Sequence, residues 1–192
     1  IAIMKYVMFL VFTKALLSQN TAYEKFQKYV QSPMGCVIWV DYFQNYLGEE
    51  IGSSGVLYIK DKMYIYDNEK QFIKYENGFI TTINKPIKQV VYDSINKNDI
   101  TIFDILTGNN NSIDIDDEII ENNKIRILFN IELWGIKGSI WISQQYGSPE
   151  KVTFIQDEDL KIHIDIKSIT NREEFNIPKY DILGYEVINL IE

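Results

Sequence analysis

The sequence predicts an α+β fold in which a large antiparallel β-sheet makes up most of the chain. Three observations lead to this prediction. Residues 55–86 are rich in Tyr, Ile, Val and Phe and contain two turn signals, Asp67-Asn68 and Asn77-Gly78. The last third of the chain alternates apolar and polar residues with the period of two that is typical of half-buried strands. Residues 20–31, by contrast, carry the pattern of an amphipathic helix.

The central stretch is predicted to form three strands, over residues 56–66, 71–76 and 79–84. Side chains alternate between the two faces of a strand, so Tyr64 and Tyr66 share one face, while Met63 and Ile65 share the other. Neither face is polar, although an antiparallel sheet usually keeps one face in water. We therefore expect either that both faces are covered or that one face holds an apolar ligand.

Composition limits the function classes. At 192 residues the chain is long enough for one domain with its own core. Its net charge of −8 and isoelectric point of about 4.8 offer no basic patch for nucleic acid, and an acidic surface argues against tight binding to anionic lipid headgroups. The single cysteine, Cys36, excludes an internal disulfide and a cysteine-rich metal site, so we expect a small buried thiol.

The first residues support two interpretations. Residues 4–19 begin with a positive residue, continue with an apolar run and reach a small residue near Ser18, which is the outline of a secretory signal peptide. Lys14 interrupts the apolar region, so the alternative is the first helix of the mature fold. The apolar run is too short to cross a bilayer. Residues 1–19 are therefore a possible signal peptide or N-terminal helix, and residues 20–192 form a single domain.

The other elements are predicted in chain order. The helix at residues 20–31 begins with a capping box formed by Thr21 and Glu24. The segments after it are a strand at 36–46, a polar link at 48–55, a strand at 88–95, a short helix or lid segment at 99–106, a loop with a short isoleucine-containing helix at 109–123, four meandering strands at 124–133, 138–144, 151–157 and 160–168, and a closing strand at 180–192.

Motifs for catalysis or metal binding are missing from the sequence. His163 is the only histidine, and its alternation with Ile162 and Ile164 places it on the outside of its strand. The acidic residues from Asp114 onward lack the glycine and distal glutamate of a calcium loop. No phosphate-binding glycine motif or nucleophile elbow occurs. The sequence therefore predicts that the protein is not an enzyme and uses no cofactor or metal.

Six short motifs occur in a recognisable order, at residues 55–60, 77–86, 101–108, 138–142, 152–157 and 174–178. The second of them is an Asn-Gly turn that leads to Asn-Lys-Pro, and the last reads Glu-Phe-Asn-Ile-Pro. This ordered set resembles the outer-membrane lipoprotein carrier protein family, the LolA-like periplasmic lipoprotein chaperones. The resemblance extends over nearly the whole chain past Asn20.

The resemblance implies an incomplete, strongly curved antiparallel β-barrel with helices lidding the concave face. It implies a periplasmic carrier that binds the acyl chains of lipoproteins in an apolar cavity and shuttles them from the inner to the outer membrane. The implied partners are acylated lipoproteins, an inner-membrane ABC-type release complex and an outer-membrane acceptor, with no nucleic acid, and the carrier is expected to be a monomer. Acyl chains form no hydrogen bonds, so their affinity would come from buried apolar area.

The residues expected to bind acyl chains are Tyr64, Tyr66, Phe72, Phe103, Leu106, Ile140, Ile142, Phe154, Ile162 and Ile164. Each of them fits an ordinary core position as well. Tyr64 is the main candidate, because it stands near a family aromatic at the cavity mouth. Family members often carry Arg-Pro just after the glycine–aromatic strand, and that arginine helps to hold the lid closed. Here the two positions are Asp61-Lys62, so either Asp61 replaces the latch or the latch is absent.

Two other functions remain open. A lipid- or lipoprotein-sensing regulatory domain would have the same fold, but it would signal through a partner and would usually be joined to a further module. An enzyme on a curved sheet, such as a lipid-active hydrolase, is disfavoured because the chain lacks a nucleophile motif and a second histidine.

Overall fold

The computed structural model describes residues 21–61, 63–95, 101–108, 113–156, 159–171 and 178–191. The predicted signal peptide and most of the motif at 174–178 lie outside the described residues. The described part of the chain forms two helices, α1 (Ala22–Val30) and α2 (Ile102–Thr107). Its strands are β1 (Cys36–Tyr46), β2 (Glu49–Lys60), β3 (Met63–Asn68), β4 (Gln71–Glu76), β5 (Phe79–Asn84), β6 (Gln89–Ser94), β7 (Asp114–Glu121), β8 (Lys124–Ile131), β9 (Ile136–Ser143), β10 (Pro149–Gln156), β11 (Leu160–Asn171) and β12 (Glu186–Asn189).

All of these strands belong to one sheet, in the order β12-β6-β5-β4-β3-β2-β1-β11-β10-β9-β8-β7. Neighbouring strands are antiparallel, except that β12 runs parallel to β6. β1 pairs with β2 on one side and with β11 on the other, and it thereby joins the two runs of hairpins. The sheet is curved and unclosed, which is consistent with an open half-barrel.

Two predicted boundaries in the first run of hairpins are wrong. Residues 56–66 do not form one strand, because Asp61 has a left-handed φ of 52° and turns the chain between β2 and β3. Residues 48–55 are not a polar link, because from Glu49 onward they pair with β1. Pairing along the whole of β1 therefore overrides the weak strand propensity of this Gly/Ser-rich segment.

Two predictions in the second run are also wrong. The isoleucines after Ile113 form the edge strand β7 rather than a helix, with a bulge between Ile115 and Asp117 where it pairs with β8. The strand predicted at 124–133 is too long, because β8 ends at Ile131 and a single 3-10 turn follows, which leaves Leu133 74% exposed. Of the closing strand predicted at 180–192, only β12 (Glu186–Asn189) is strand, and it adds to an edge of the sheet without closing it.

The main hydrophobic core lies on one face of the sheet, which we call the inner face. Phe26 and Val30 of α1 and Ile105 of α2 belong to this core, together with side chains from both runs of hairpins. The sheet contributes, among others, Ile38, Leu57, Tyr64, Ile127, Phe129, Ile140, Ile142, Val152 and Ile164. Both helices therefore pack on the inner face through their apolar sides.

The opposite face, the outer face, is covered at β3–β6 by the C-terminal segment. Tyr180 packs against Phe72 with ring centroids 4.9 Å apart. The Tyr180 hydroxyl donates to both carboxylate oxygens of Asp67, at 2.7 and 2.8 Å. Lys85 forms an ion pair with Asp67 at 2.6 Å and stands 4.6 Å above the Tyr180 ring. The apolar character of the outer face of these hairpins is thus explained by the cover that the C-terminal segment provides.

Candidate functional site

A cavity of about 820 Å³ lies on the inner face, over β1–β5 and β11 and beside α2. Apolar side chains form most of it: Val40, Ile51, Leu57, Ile73, Ile80, Ile87, Ile102, Leu106, Ile162 and Ile164. Polar side chains line the end near the β3–β4 turn: Gln44, Ser53, Asn68, Lys70, Gln71 and Asn84. The cavity is therefore amphipathic, with an apolar interior and a polar end.

Tyr66 forms the boundary between the apolar and polar parts. Its ring lies on the backbone of Gly55, where a Cβ atom would stand 2.6 Å from Tyr66 Cε2. Its hydroxyl is 3.2 Å from Ser53 Oγ and accepts a 3.4 Å hydrogen bond from Asn68 Nδ2. The absence of a side chain at Gly55 thus lets the ring lie flat and keeps its polar end among polar neighbours.

Tyr42 completes the polar end. Its hydroxyl donates a 2.6 Å hydrogen bond to Gln44 Oε1. Burial raises the pKa of Tyr42, and the nearby Tyr66 raises that pKa further. Tyr42 is therefore a neutral hydrogen-bonding group at physiological pH, and it presents no charge to a ligand in the cavity.

α1 holds α2 in place beside the cavity. The side-chain amide of Gln27 donates to the carbonyl of Gly108 at 2.7 Å, and that of Gln31 donates to the carbonyl of Thr107 at 3.0 Å. These carbonyls lie at the C-terminal end of α2, where Gly108 has a left-handed φ of 62°. The two glutamines therefore satisfy helix-end carbonyls that would otherwise lack partners.

The N-terminus of α1 is anchored to the sheet by Glu118 of β7. The two Glu118 carboxylate oxygens accept hydrogen bonds from the backbone N–H groups of Ala22 and Tyr23, both at 3.0 Å. The predicted capping box of Thr21 and Glu24 is also present. A carboxylate at a helix N-terminus is favourable because it accepts from free N–H groups and complements the helix dipole.

Four of the residues predicted to bind acyl chains line this cavity: Tyr66, Leu106, Ile162 and Ile164. Tyr64, the main candidate, does not line it. Its side chain is only 2% exposed and stacks on Tyr75, with ring centroids 5.4 Å apart. Tyr64 therefore belongs to the packed core of the inner face.

The other predicted residues lie elsewhere. Ile140, Ile142 and Phe154 are buried in the core of the inner face. Phe72 requires a correction, because it points to the outer face and packs under Tyr180. The position of the Phe103 side chain lies outside the described residues.

Asp61, the predicted latch position, lies in the exposed turn between β2 and β3. The polar end of the cavity lies at the β3–β4 turn, at the opposite end of β3. Among the described residues, the side-chain hydrogen bonds that hold the C-terminal end of α2 come from Gln27 and Gln31 of α1.

Sequence reasoning missed several residues of the cavity. Ile73 is directly opposite Tyr66 across β3 and β4, and Leu57 is opposite Tyr66 across β2 and β3. The register of the hairpins, which the turn signals indicate, would have placed Ile73 and Leu57 on the same face as Tyr66, because directly paired residues share a face. Ile102 had no comparable signal, since its position depends on how α2 packs.

The described residues contain no cluster of His, Cys, Asp and Glu that could hold a metal ion. Among the same residues, no helix has the length and hydropathy needed to span a bilayer.

Comparison with known proteins gives similarity in structure alone. No family model matches the chain, and no curated protein matches it. A conserved, uncharacterized protein from Thermus thermophilus has a similar structure, with a TM-score of 0.55 and 9% identity over 90% of this chain and 99% of that one. This similarity shows that the two proteins share a fold.

Two further structures carry the family description that the sequence motifs resemble. One is a LolA superfamily protein from Nitrosomonas europaea, with a TM-score of 0.43 and 9% identity over 82% of this chain and 93% of that one. The other is an outer membrane lipoprotein-sorting protein domain from Vibrio parahaemolyticus, with a TM-score of 0.43 and 9% identity over 80% of this chain and 92% of that one.

Proposed function

We propose that this protein is a periplasmic carrier that binds the acyl chains of lipoproteins in the inner-face cavity. The observation that carries the proposal is the cavity itself, an apolar space of about 820 Å³ with a polar end. Its volume falls within the range of about 300–1,000 Å³ typical of ligand pockets. The acyl chains would lie against Ile73, Ile80 and Ile164, with the ester and peptide groups toward Tyr66 and Asn68.

Affinity in such a site would come from apolar area. Each buried methylene contributes about 0.8 kcal/mol, so ten buried methylenes supply about 8 kcal/mol before the costs of association are subtracted. The polar end adds hydrogen-bonding groups and one cation, Lys70, which is exposed to water rather than buried. This balance suits a carrier, which must hold its cargo firmly and still release it.

α2 would act as the cover that opens for entry and release. It presents Ile102 and Leu106 to the cavity, and Gln27 and Gln31 hold its C-terminal end. Because a neutral hydrogen bond stabilises by only about 1 kcal/mol, this attachment is weak enough to break during transfer. The helices would then lid the concave face, as the resemblance implies.

In the transport cycle that the family resemblance implies, an inner-membrane ABC-type release complex loads the carrier and an outer-membrane acceptor unloads it. The protein would act as a monomer, without a cofactor and without covalent chemistry. Its role would be to keep acyl chains out of water between the two membranes.

A release assay tests the proposal. Inner-membrane vesicles that carry labelled lipoprotein are incubated with the protein, and label that becomes soluble is measured. Ile80→Glu should abolish most of the release, because it places a charge in the cavity. Ile120→Glu is the matched control: Ile120 is also a strand isoleucine, but it is 67% exposed and does not line the cavity. Equal release by both variants would contradict the proposal.

The alternative, a lipid- or lipoprotein-sensing regulatory domain, gives a different result in the same experiment. A sensor would bind a fluorescent fatty acid in an Ile80-dependent manner, yet it would leave labelled lipoprotein in the vesicles. Fatty-acid binding without release would therefore favour the sensor over the carrier.

A further inference from the structure

The charges around the inner-face cavity differ from those of the chain as a whole. The sequence contains 27 Asp and Glu residues against 19 Lys and Arg residues. The described residues that line the cavity nevertheless include no Asp or Glu, and the one cation among them is Lys70. Net charge therefore does not predict which ligands this cavity accepts, because a ligand responds to the groups that face it.

Three hydrogen-bond donors lie together at the polar end of the cavity. Gln71 of β4 and Asn84 of β5 are directly opposite each other in the register, so their side chains are neighbours on the inner face. Neither side-chain amide hydrogen-bonds to a described residue, although the backbone N–H of Gln71 donates to Asn68 Oδ1 at 2.6 Å. Lys70 Nζ forms no ion pair within the described part of the chain. These donors are thus available to a ligand.

The backbone at Lys70 is fixed at the rim of the cavity. Its N–H group donates to Asn68 Oδ1 at 2.8 Å, and its carbonyl accepts a 2.9 Å hydrogen bond from the backbone N–H of Lys85. The β3–β4 and β5–β6 turns are therefore joined at this point. The Lys70 side chain is exposed, so its ammonium group can stay in water while its aliphatic stem begins at the rim.

The acidic residues near Lys70 do not line the cavity. Asp67 forms its ion pair with Lys85 on the outer face. Glu69 borders a separate concavity, which Lys70 and Asp41 also border, and it forms no ion pair with Lys70. Asp41 is itself paired with another lysine. Within the described residues, a ligand in the inner-face cavity therefore meets the Lys70 ammonium group without a carboxylate beside it.

We propose that the cavity binds single-chain fatty acids, with the ionised carboxylate at Lys70, Gln71 and Asn84. The hydrocarbon chain would lie in the apolar part of the cavity, so the inference rests on the proposed function in placing an acyl chain there. The carboxylate would accept hydrogen bonds from the ammonium group and from the two side-chain amides. Hydrogen bonds to an ionised group are roughly twice as strong as neutral ones, which gives a fatty acid an advantage over an acyl ester.

Charge and hydration favour a carboxylate over other headgroups. At the water-exposed end of the cavity a carboxylate keeps part of its hydration, so it avoids most of the cost of burying an ion. One ammonium group balances its single negative charge, whereas a phosphate monoester carries nearly two negative charges at neutral pH. A cationic headgroup would be repelled by Lys70.

Calorimetric titration of the full chain with three ligands of equal chain length tests the inference. The ligands are dodecanoate, dodecanol and dodecylammonium, which differ only in the charge of the headgroup. Dodecanoate should bind the wild type about fivefold more tightly than dodecanol, as expected for an ion pair in contact with water, and dodecylammonium should bind most weakly. Lys70→Glu should reverse this order and leave the affinity for dodecanol unchanged.

Lys137→Glu is the matched control. Lys137 is an exposed lysine of β9 that does not line the cavity, and its replacement makes the same change in net charge. This variant should keep the wild-type order of the three ligands. Equal effects of the two substitutions would show that net charge, rather than a site at Lys70, sets the preference, and would overturn the inference.

Two further results would overturn the fatty-acid site. One is equal binding of dodecanoate and dodecanol by the wild type. The other is tighter binding of dodecyl phosphate than of dodecanoate, which would assign the donors to a phosphate headgroup instead.

The lipoprotein-release assay separates this inference from the carrier proposal. Lys70→Glu should release labelled lipoprotein as the wild type does, because the acyl esters of the cargo are neutral. A wild type that releases lipoprotein but does not distinguish dodecanoate from dodecanol would overturn the fatty-acid site alone. A wild type that prefers dodecanoate but releases no lipoprotein would support the site and contradict the carrier function.

Discussion

The ring of Tyr66 lies directly on Gly55, and a Cβ atom at Gly55 would stand 2.6 Å from Tyr66 Cε2 and 2.7 Å from its hydroxyl oxygen. The two residues are diagonal neighbours, since Leu57 is the residue opposite Tyr66. The ring fills the space that the glycine leaves and forms part of the cavity wall. Gly55 is the first residue of the sequence motif at 55–60, so this contact relates that motif to the shape of the cavity.

Gly55→Ala should therefore push the Tyr66 ring into the cavity. We expect a loss of about 1 kcal/mol in the free energy of unfolding, because the clashing atoms belong to the far end of a side chain that can move. We also expect weaker binding of a fluorescent fatty acid. In the Tyr66→Ala background the same substitution should cost little, and an unchanged cost in that background would contradict the mechanism.

Gly138→Ala should be far more damaging. A Cβ atom there would stand 2.4 Å from Phe129 Cζ and 2.6 Å from the backbone oxygen of Thr153. The backbone of β10 cannot move aside as a side chain can, so we expect a loss of about 3 kcal/mol or more. Urea unfolding measures it, with Gly52→Ala as the control, since the nearest atom to a Cβ there would be Phe43 Cδ1, at 3.3 Å.

Removal of the Glu118 carboxylate should loosen α1. Glu118→Ala deprives the N–H groups of Ala22 and Tyr23 of their acceptors, and we expect a loss of about 1 kcal/mol. Amide hydrogen exchange should increase in the first turn of α1. Glu121→Ala, an exposed position on the same strand, serves as the control. Equal effects of the two substitutions would contradict the capping role.

The C-terminal cover should depend on the Tyr180 hydroxyl. Tyr180→Phe leaves Asp67 with fewer hydrogen bonds, so we expect a loss of about 1–2 kcal/mol and faster proteolysis of residues 178–191. Tyr185→Phe is the control, because Tyr185 packs against the same cluster and its hydroxyl forms no hydrogen bond with a described residue. A stable Tyr180→Phe protein with an intact C-terminus would refute this prediction.

Cys36 should be unreactive in the folded protein. Burial raises the pKa of its thiol from 9.0 to about 12, so the thiolate is scarce at pH 8. A thiol reagent should modify Cys36 only after unfolding in denaturant.

The same shift predicts a pH dependence of stability. The unfolded thiol loses its proton near pH 9, while the folded thiol keeps its proton until about pH 12. This stabilising contribution is therefore complete below pH 9 and is lost as the pH rises toward 12. Between pH 8 and 11 the urea midpoint should fall more steeply for the wild type than for Cys36→Ala. Parallel curves would show that the thiol does not contribute.

Local signals in the sequence predicted most of the fold. Turn residues at Asp67-Asn68 and Asn77-Gly78 gave the correct hairpins, and the capping box at Thr21 gave the correct start of α1. The strand 56–66 was predicted wrongly because the polar segment Lys60-Asp61-Lys62 lacks the Asn-Gly or Asp-Gly pair of a strong hairpin signal, although Asp tolerates the left-handed φ found at Asp61. The start of β2 was missed because Gly52, Ser53 and Ser54 become strand only through pairing with β1.

The cavity was only partly predictable. Alternation identified Tyr66, Ile162 and Ile164 as inward-facing residues, and they line the cavity. Alternation could not separate them from Tyr64 and Ile140, which also face inward but are packed solidly. Whether an inward-facing residue lines the cavity or is packed in the core depends on where α1 and α2 lie over the sheet. The periodicity of the sequence does not predict the position of these helices.

The sequence by itself determined most of the strands, the alternation of faces along each of them and the apolar character of both sides of the central hairpins, because these depend on alternation and turn chemistry within a few residues. Only the tertiary structure decided where the inner face is filled and where it is hollow. It also decided which segment covers the outer face, and that an acidic chain lines its cavity with Lys70 and with no carboxylate among the described residues. These features join residues far apart in the chain, so they follow from strand order and helix packing.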